Sequence, residues 1–385
     1  MKDIGILSVK TFNYGSLLQT YAIQTYINRL GYSNDIVNYK KTNRLNQLLR
    51  LFYFPLLKEL VIRTLRIKWY IKMHPDYAAY LGNRNKAFLS FITTDIKESV
   101  PFHGWHDLHK NVAEHYKCIL LGSDQVWHPY NYGAHFFDMS FVPISVPKIA
   151  YAPSFGVSSL PYYQRFGMRK YLSRIDVLSV REESGKKIIA DLCDRDAVVV
   201  CDPTMLLSRS DWDYFKTERI VSGDYIFCYF IGDNPEHRNF AARLSKLIKM
   251  PVVTLRHIYT YRDCDKDFGD IAPLNIGPRE FVSLISYARY ICTDSFHGTV
   301  FSIINEKQMF TFARFDDNKM SANSRLATLF NKLGISHRYV SPSLSIEEIA
   351  LIPEVDYEMV NKKLNLYREF SQNFLKKSLL NCLSK

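Results

Sequence analysis

The sequence predicts an α/β protein of two doubly wound units, and three observations carry that prediction. Short apolar runs alternate with helix-length segments from end to end. Several of the runs are continuously apolar, as strands covered on both faces of a parallel sheet must be. The chain has 385 residues, more than one core usually organises.

In chain order, residues 4–9 form the first expected strand, followed by a loop over 10–16 and a helix over 17–30 that Gly31 closes. Further strands are expected at 36–39, 118–121, 148–152, 177–180 and 197–201, then at 225–231, 252–255, 290–292 and 309–312. The polar stretch 208–224 marks the boundary between a first domain, 1–207, and a second, 208–355. Residues 356–385 have a helical pattern and are expected to pack back on the first domain.

A basic-apolar helical insertion, about 40–115, interrupts the alternation. Its first part, 40–72, mixes Lys40, Lys41, Arg44, Arg50, Lys58, Arg63, Arg66, Lys68 and Lys72 with Leu, Phe and Trp, and holds one acid, Glu59. Two readings stand open: a helix lying on an anionic membrane surface, or a helical insertion packed on its own protein.

Composition narrows the function classes. The amino terminus turns polar too soon for a signal peptide, and no apolar run approaches the ~20 residues that span a bilayer. A cytoplasmic protein is expected, peripheral on the inner face of the cell membrane if the 40–72 segment binds lipid. The seven cysteines form no Cys-x-x-Cys pair, and Cys118, Cys201, Cys228 and Cys292 sit in apolar runs, so reduced buried thiols are expected, with no metal site. The net charge of +12 suits an anionic partner, but no nucleic-acid-binding motif accompanies it.

In open parallel sheets, ligands bind where strands end. Polar clusters follow the expected strands there: Asn13-Tyr14-Gly15-Ser16 with Gln19, Gly122-Ser123-Asp124-Gln125-Val126-Trp127, Pro153-Ser154-Phe155-Gly156, Arg181-Glu182-Glu183-Ser184 and Asp202-Pro203-Thr204. Asp124 and Arg181 stand out, because an ionisable group directly after a buried strand needs a partner or a ligand. Asp202-Pro203 also reads as the simple start of a loop.

The turn Thr293-Asp294-Ser295-Phe296-His297-Gly298-Thr299 is the sharpest candidate. Asp294 or Ser295 can cap the helix that follows, which puts His297 in its first turn, where free N–H groups attract anions. The competing reading is a histidine that only hydrogen-bonds in an interdomain cleft. His103, His106 and His109 lack the carboxylate partner of a metal site. Walker, Gly-x-Ser-x-Gly and dinucleotide-binding fingerprints are absent.

Together with Asn323-Ser324-Arg325, these motifs resemble the polysaccharide pyruvyl transferase family, in order over about residues 4–335. The resemblance implies two Rossmann-like domains facing across a cleft, like the B-type glycosyltransferase fold. It also implies transfer of pyruvate from phosphoenolpyruvate onto two hydroxyls of a sugar in a surface-polysaccharide precursor such as capsule or exopolysaccharide, forming a ketal and releasing phosphate. Phosphoenolpyruvate is then a co-substrate, no cofactor is needed, and the acceptor is a sugar or lipid-linked saccharide. His297 fits the acid and Asp124 the base or hydroxyl contact. Arg181 and Arg325, with Ser295, Gly298 and Thr299, fit the donor anion. Asn13, Tyr14, Gln19, Gln125, Trp127 and Ser154 fit the acceptor. The family pattern implies an arginine two residues before the histidine, where this chain has Ser295. A nucleotide-sugar-dependent glycosyltransferase and a non-catalytic sugar- or anion-binding protein are the competing functions.

Overall fold

The structure, a computed structural model, describes residues 1–40, 65, 69, 72–133, 135–257, 261–314 and 323–384. Two all-parallel sheets organise it. The first runs β1 (Lys2–Leu7), β2 (Asn34–Ile36), β5 (Tyr116–Leu121), β6 (Lys148–Ala150), β7 (Val177–Val180) and β8 (Val198–Val199), in the spatial order β2-β1-β5-β6-β7-β8. The second holds β9 (Ile226–Tyr229), β10 (Val252–Thr254), β11 (Tyr290–Thr293) and β12 (Gln308–Thr311), in the order β10-β9-β11-β12. The expected pair of Rossmann-like units is what these sheets are. Their middle strands are buried on both faces, which is why they read as unbroken apolar runs.

Each sheet has one place where its strand order reverses, between β1 and β5 in the first and between β9 and β11 in the second. Loops leaving neighbouring strands part there and open a crevice. Helix α1 (Tyr14–Arg29), which follows β1, runs between the units and is buried along most of its length. Tyr14 stacks on Phe281 of the second unit at 4.5 Å, and Tyr21 packs on Phe215 at 4.7 Å. One continuous apolar cluster therefore joins Ile4, Leu18 and Tyr151 to Phe281, Val300 and Leu329.

Helix α1 begins at Tyr14, three residues before the expected start, because Asn13 caps it by accepting from the Ser16 amide. The strand expected at 36–39 divides: β2 pairs with β1, while β3 (Tyr39–Lys40) pairs with β4 (Phe102–His103). That short pair ties together the two ends of the insertion. Most of the basic-apolar stretch 40–72 lies outside the described residues. Beyond it, α2 (Pro75–Asp95) reaches the second unit: Tyr77 and Tyr80 donate to the carbonyls of His257 and Arg256, and Arg279 pairs with Asp95. Helix α3 (Gly104–His115) leads into β5.

The remaining helices are α4 (Tyr162–Leu172), α5 (Glu183–Cys193), α6 (Arg209–Phe215), α7 (Pro235–Ile248), α8 (Pro278–Tyr287), α9 (Phe296–Ile304), α10 (Ser324–Leu333), α11 (Ile346–Ala350) and α12 (Tyr357–Leu383). At the start of the polar stretch 208–224, Ser208 and Asp211 form a capping box for α6, which buries Trp212 and Phe215 in the shared core. In α12, the Ser371 hydroxyl donates to the Tyr367 carbonyl while its oxygen accepts the Cys201 amide, and Arg368 and Gln372 donate to the carbonyls of Met205 and Leu206. Among the described residues no helix is long and apolar enough to cross a membrane.

Candidate active site

Parallel strands bring every loop that leaves their carboxyl ends to one side of the sheet. From β1, β5, β7 and β8 this gathers Ser16, Asp124, Arg181 and Asp202; from β11 of the facing unit comes His297. The result is a buried charge cluster. Arg181 donates to the Asp202 carboxylate at 2.6 Å and lies 3.8 Å from Asp124. The Ser16 hydroxyl donates to Asp124 at 2.5 Å, and Ser123 donates to Asp202 at 3.0 Å. His297 Nε2 sits 3.5 Å from the same Asp202 carboxylate.

Local backbone geometry makes this possible. Asp124 adopts a left-handed conformation, φ 73°, which Asp tolerates better than most residues but which still costs about 1–2 kcal/mol. Its carbonyl accepts the Ser154 amide and its carboxylate the Gln125 amide. Gly15 supplies the other close approach: a Cβ there would lie 2.0 Å from His297 Nδ1. The first turn of α1 can face the imidazole only because position 15 has no side chain.

Ser295 is the N-cap of α9, its hydroxyl accepting the Gly298 amide. Asp294 does not cap the helix. Its carboxylate accepts the amides of Ile231 and Gly232, which holds the β9 and β11 loops together. Burial would raise the Asp294 pKa, but His237, Arg314 and those amides outweigh it and hold it at about 2. Burial opposes ionisation of Asp202 and Asp124 as well. For both, His297 and Arg181 with neighbouring hydroxyl donors prevail, so each carboxyl titrates below its ordinary value, Asp202 far below.

Phe296 carries the cations. The guanidinium of Arg181 lies 4.3 Å from its ring centroid and that of Arg325 5.7 Å. Burial first, and then the neighbouring Arg181, push the Arg325 pKa down to about 9, so an incoming anion would relieve a real electrostatic cost. Arg314 donates to the Asp294 carbonyl at 2.9 Å. The second unit thus surrounds the turn with Arg314 and Arg325, although position 295 itself carries a serine.

Several residues expected to touch ligand are occupied with packing instead. Arg181 is committed first to Asp202, although its Nε and Nη2 have no hydrogen-bond partner among the described residues. The hydroxyl of buried Tyr14 donates to the Ile276 carbonyl, and the amide of buried Gln19 donates to Ser8, Thr20 and the Ser16 carbonyl. Buried Ser154 donates to Glu182, and Trp127 to the Phe137 carbonyl. Thr299 binds the Ser295 carbonyl and Thr311, and Asn13 is the helix cap. In Tyr14, Gln19 and Ser154 these bonds hold the loops in shape, and the buried Gln19 Oε1 has no hydrogen-bond partner among the described residues. Gln125 is partly exposed beside Gly156, and Gly298 gives its amide to Ser295.

Two residues of the strand-end clusters were not singled out from the sequence. Asp202 stood among those clusters and also read as the start of a loop, yet it directly follows a buried strand, the very signal that singled out Asp124. Glu182 is wholly buried and accepts from Ser154 and the Phe155 amide, which shapes the loop after β6. Among the described residues no group of His, Cys, Asp and Glu converges as a metal site. His109, for one, is engaged by the Phe141 carbonyl.

Comparison with known proteins adds the family. No curated protein sequence matches the chain. Solved structures similar to it include the UDP-GlcNAc 2-epimerase of Methanocaldococcus jannaschii, 11% identical over 95% of this chain and 92% of that one, TM-score 0.49. Another is the glycosyltransferase SnogD of Streptomyces nogalater, 10% identical over 97% and 95%, TM-score 0.47. A third is the ADP-heptose heptosyltransferase II of Escherichia coli, 10% identical over 95% and 99%, TM-score 0.37. The sequence profile of the polysaccharide pyruvyl transferases matches residues 13–317, a span that holds Asp124, Arg181, Asp202 and His297, and the chain is therefore a pyruvyltransferase belonging to the polysaccharide pyruvyl transferase family.

Proposed function

We propose that the enzyme takes pyruvate from phosphoenolpyruvate and builds a cyclic ketal on two hydroxyls of a saccharide acceptor, releasing phosphate. The observation that carries this reading is the pairing of His297 with Asp202 at 3.5 Å beside two buried guanidinium groups. The reaction needs an acid near carbon, cations near a carboxylate and a phosphate, and a carboxylate near a hydroxyl.

In this reading Arg325, together with Arg181, binds the donor anion. Protonated His297 gives its proton to the methylene carbon, which becomes the methyl group and leaves an oxygen-stabilised cation at the neighbouring carbon. Asp202, 3.5 Å from Nε2, holds the imidazole in position. The first sugar hydroxyl adds to that cation and loses its proton towards Asp124. A carboxylate held ionised is a weak base, but a hydroxyl bonding to a cationic carbon is strongly acidified, so a weak base suffices. The carbon–oxygen bond to phosphate then breaks, and the second hydroxyl closes the ketal. Of the two hydroxyl protons, one balances the proton given to carbon and the other leaves with phosphate.

The experiment is to incubate the purified enzyme with phosphoenolpyruvate and a depyruvylated surface polysaccharide from the producing organism. Acceptor-dependent phosphate release with a new ketal methyl signal is expected. Turnover of a nucleotide sugar with phosphoenolpyruvate left intact would overturn the reading.

A further inference from the structure

Beside the cleft, the 3-10 turn Pro129–Asn131 and helix α4 bring four aromatic side chains to the surface. Tyr130 is 43% exposed, Tyr162 91%, Tyr163 54% and Phe166 83%. Positions 162, 163 and 166 share one face of α4, while Gln164, Met168 and Leu172 are buried on the other. So much aromatic surface gathered in one patch marks an interaction site more often than chance exposure.

The patch is continuous with the active site. Gln164 donates to the Pro129 carbonyl and to the Tyr163 hydroxyl, which fastens α4 to the turn. Asn131 donates to the carbonyl of Gln125, the residue after Asp124. The His128 ring lies 4.8 Å from that of Tyr130. Burial first, and then the Arg325 charge, hold the His128 pKa down at about 4, so this histidine stands in the field of the cleft's own cation. Gly167 lets α4 settle directly on the turn, since a Cβ there would lie 1.9 Å from the Tyr132 hydroxyl.

We propose that Tyr130, Tyr162, Tyr163 and Phe166 form a ledge that binds the saccharide chain beyond the sugar being modified in the cleft. The units of a polymer next to the reacting sugar need a surface beside the site, and the ledge adjoins it through the bond from Asn131 to the Gln125 carbonyl. The C–H face of a sugar ring is apolar and its rim carries hydroxyls; an aromatic ring covers the first, and phenol tips reach the second. Arg169 follows Phe166 by three residues on the same face, so an anionic lipid surface is the competing occupant that the test separates.

The inference rests on a saccharide acceptor but not on the donor, and its test omits the donor. Oligosaccharides made by mild acid treatment of the organism's own surface polysaccharide, which also removes ketals, are sorted by length and titrated calorimetrically. The wild type is expected to bind fragments of several repeats at least about tenfold more tightly than a single repeat. Tyr162→Ala/Phe166→Ala is expected to lose that gain, with single-repeat affinity and circular dichroism unchanged. Absence of length dependence in the wild type, or its survival in the variant, overturns the proposal. So does a variant that keeps the gain but no longer binds phosphatidylserine vesicles, which would make the ledge a membrane contact. Failure of the donor reading would appear separately, as absent phosphate release with the ledge's length dependence intact.

Discussion

His297 Nε2 lies 3.5 Å from the carboxylate of Asp202, and the two residues come from opposite units of the chain. The same carboxylate takes Arg181 at 2.6 Å, so one anion serves both the imidazole and the guanidinium. Asp202→Asn is expected to lower phosphate release about 10²-fold, in line with loss of general acid catalysis. It should also lower the urea midpoint, because a buried charge left without its partner costs about 3–5 kcal/mol. Assays at a temperature where circular dichroism shows the variant folded separate the two effects. Unchanged turnover would remove Asp202 from the site.

Gly15 tests the contact across the cleft most simply. A methyl group at this position would overlap the imidazole, with Cβ 2.0 Å from Nδ1. Gly15→Ala should therefore displace His297 while leaving the arginines in place. A displacement of about 1 Å can cost about 10²-fold in rate. Turnover is expected to fall by that order, with the donor KM changed less than about threefold.

Arg325 should show the opposite split. Hydrogen bonds between charged groups contribute about 1.5–3 kcal/mol, so Arg325→Ala is expected to raise the phosphoenolpyruvate KM by roughly ten- to a hundredfold. Because relief of its burial cost offsets part of the lost attraction, stability should change little or rise slightly. Steady-state kinetics at saturating acceptor, with thermal melts alongside, check both outcomes.

His257 connects the site to acid stability. Burial and nearby Arg262 hold its pKa at about 4, against 6.5 in the unfolded chain. The unfolded state binds the extra proton between those values. The stability contribution is thus complete above pH 6.5 and is lost as pH falls through 6.5 towards 4. By pH 5 this loss amounts to about 2 kcal/mol. His257→Gln, which can keep the 2.8 Å contact to the Ile231 carbonyl, should flatten the fall in urea midpoint between pH 7 and pH 5. His128, with its pKa also near 4, and His337, lowered by burial, add to the residual slope.

The strands were legible because burial on both faces demands unbroken apolar runs, as in Cys118-Ile119-Leu120-Leu121. Parallel pairing then sends the loops after them to one side, so Asp124, Arg181 and His297 could be singled out from position alone. What sequence could not supply was the partner of each polar group. Gln19 looked like a ligand contact, and in the structure its amide nitrogen bonds Ser8 and the Ser16 carbonyl inside the fold. Asp202 stood in a candidate cluster but read equally as a loop start, because Asp-Pro starts loops wherever they occur; only the facing unit reveals His297 beside it. Tyr14 is a further case: it stacks on Phe281, a partner more than two hundred residues away in sequence.

The role of His297 is the centre of this account, and acceptor-dependent phosphate release by His297→Ala measures it most directly. With phosphoenolpyruvate and acceptor both saturating, the rate is expected to fall about 10²–10⁴-fold while the variant stays folded and still binds donor. A rate within a few-fold of wild type would contradict the assignment of His297 as the acid.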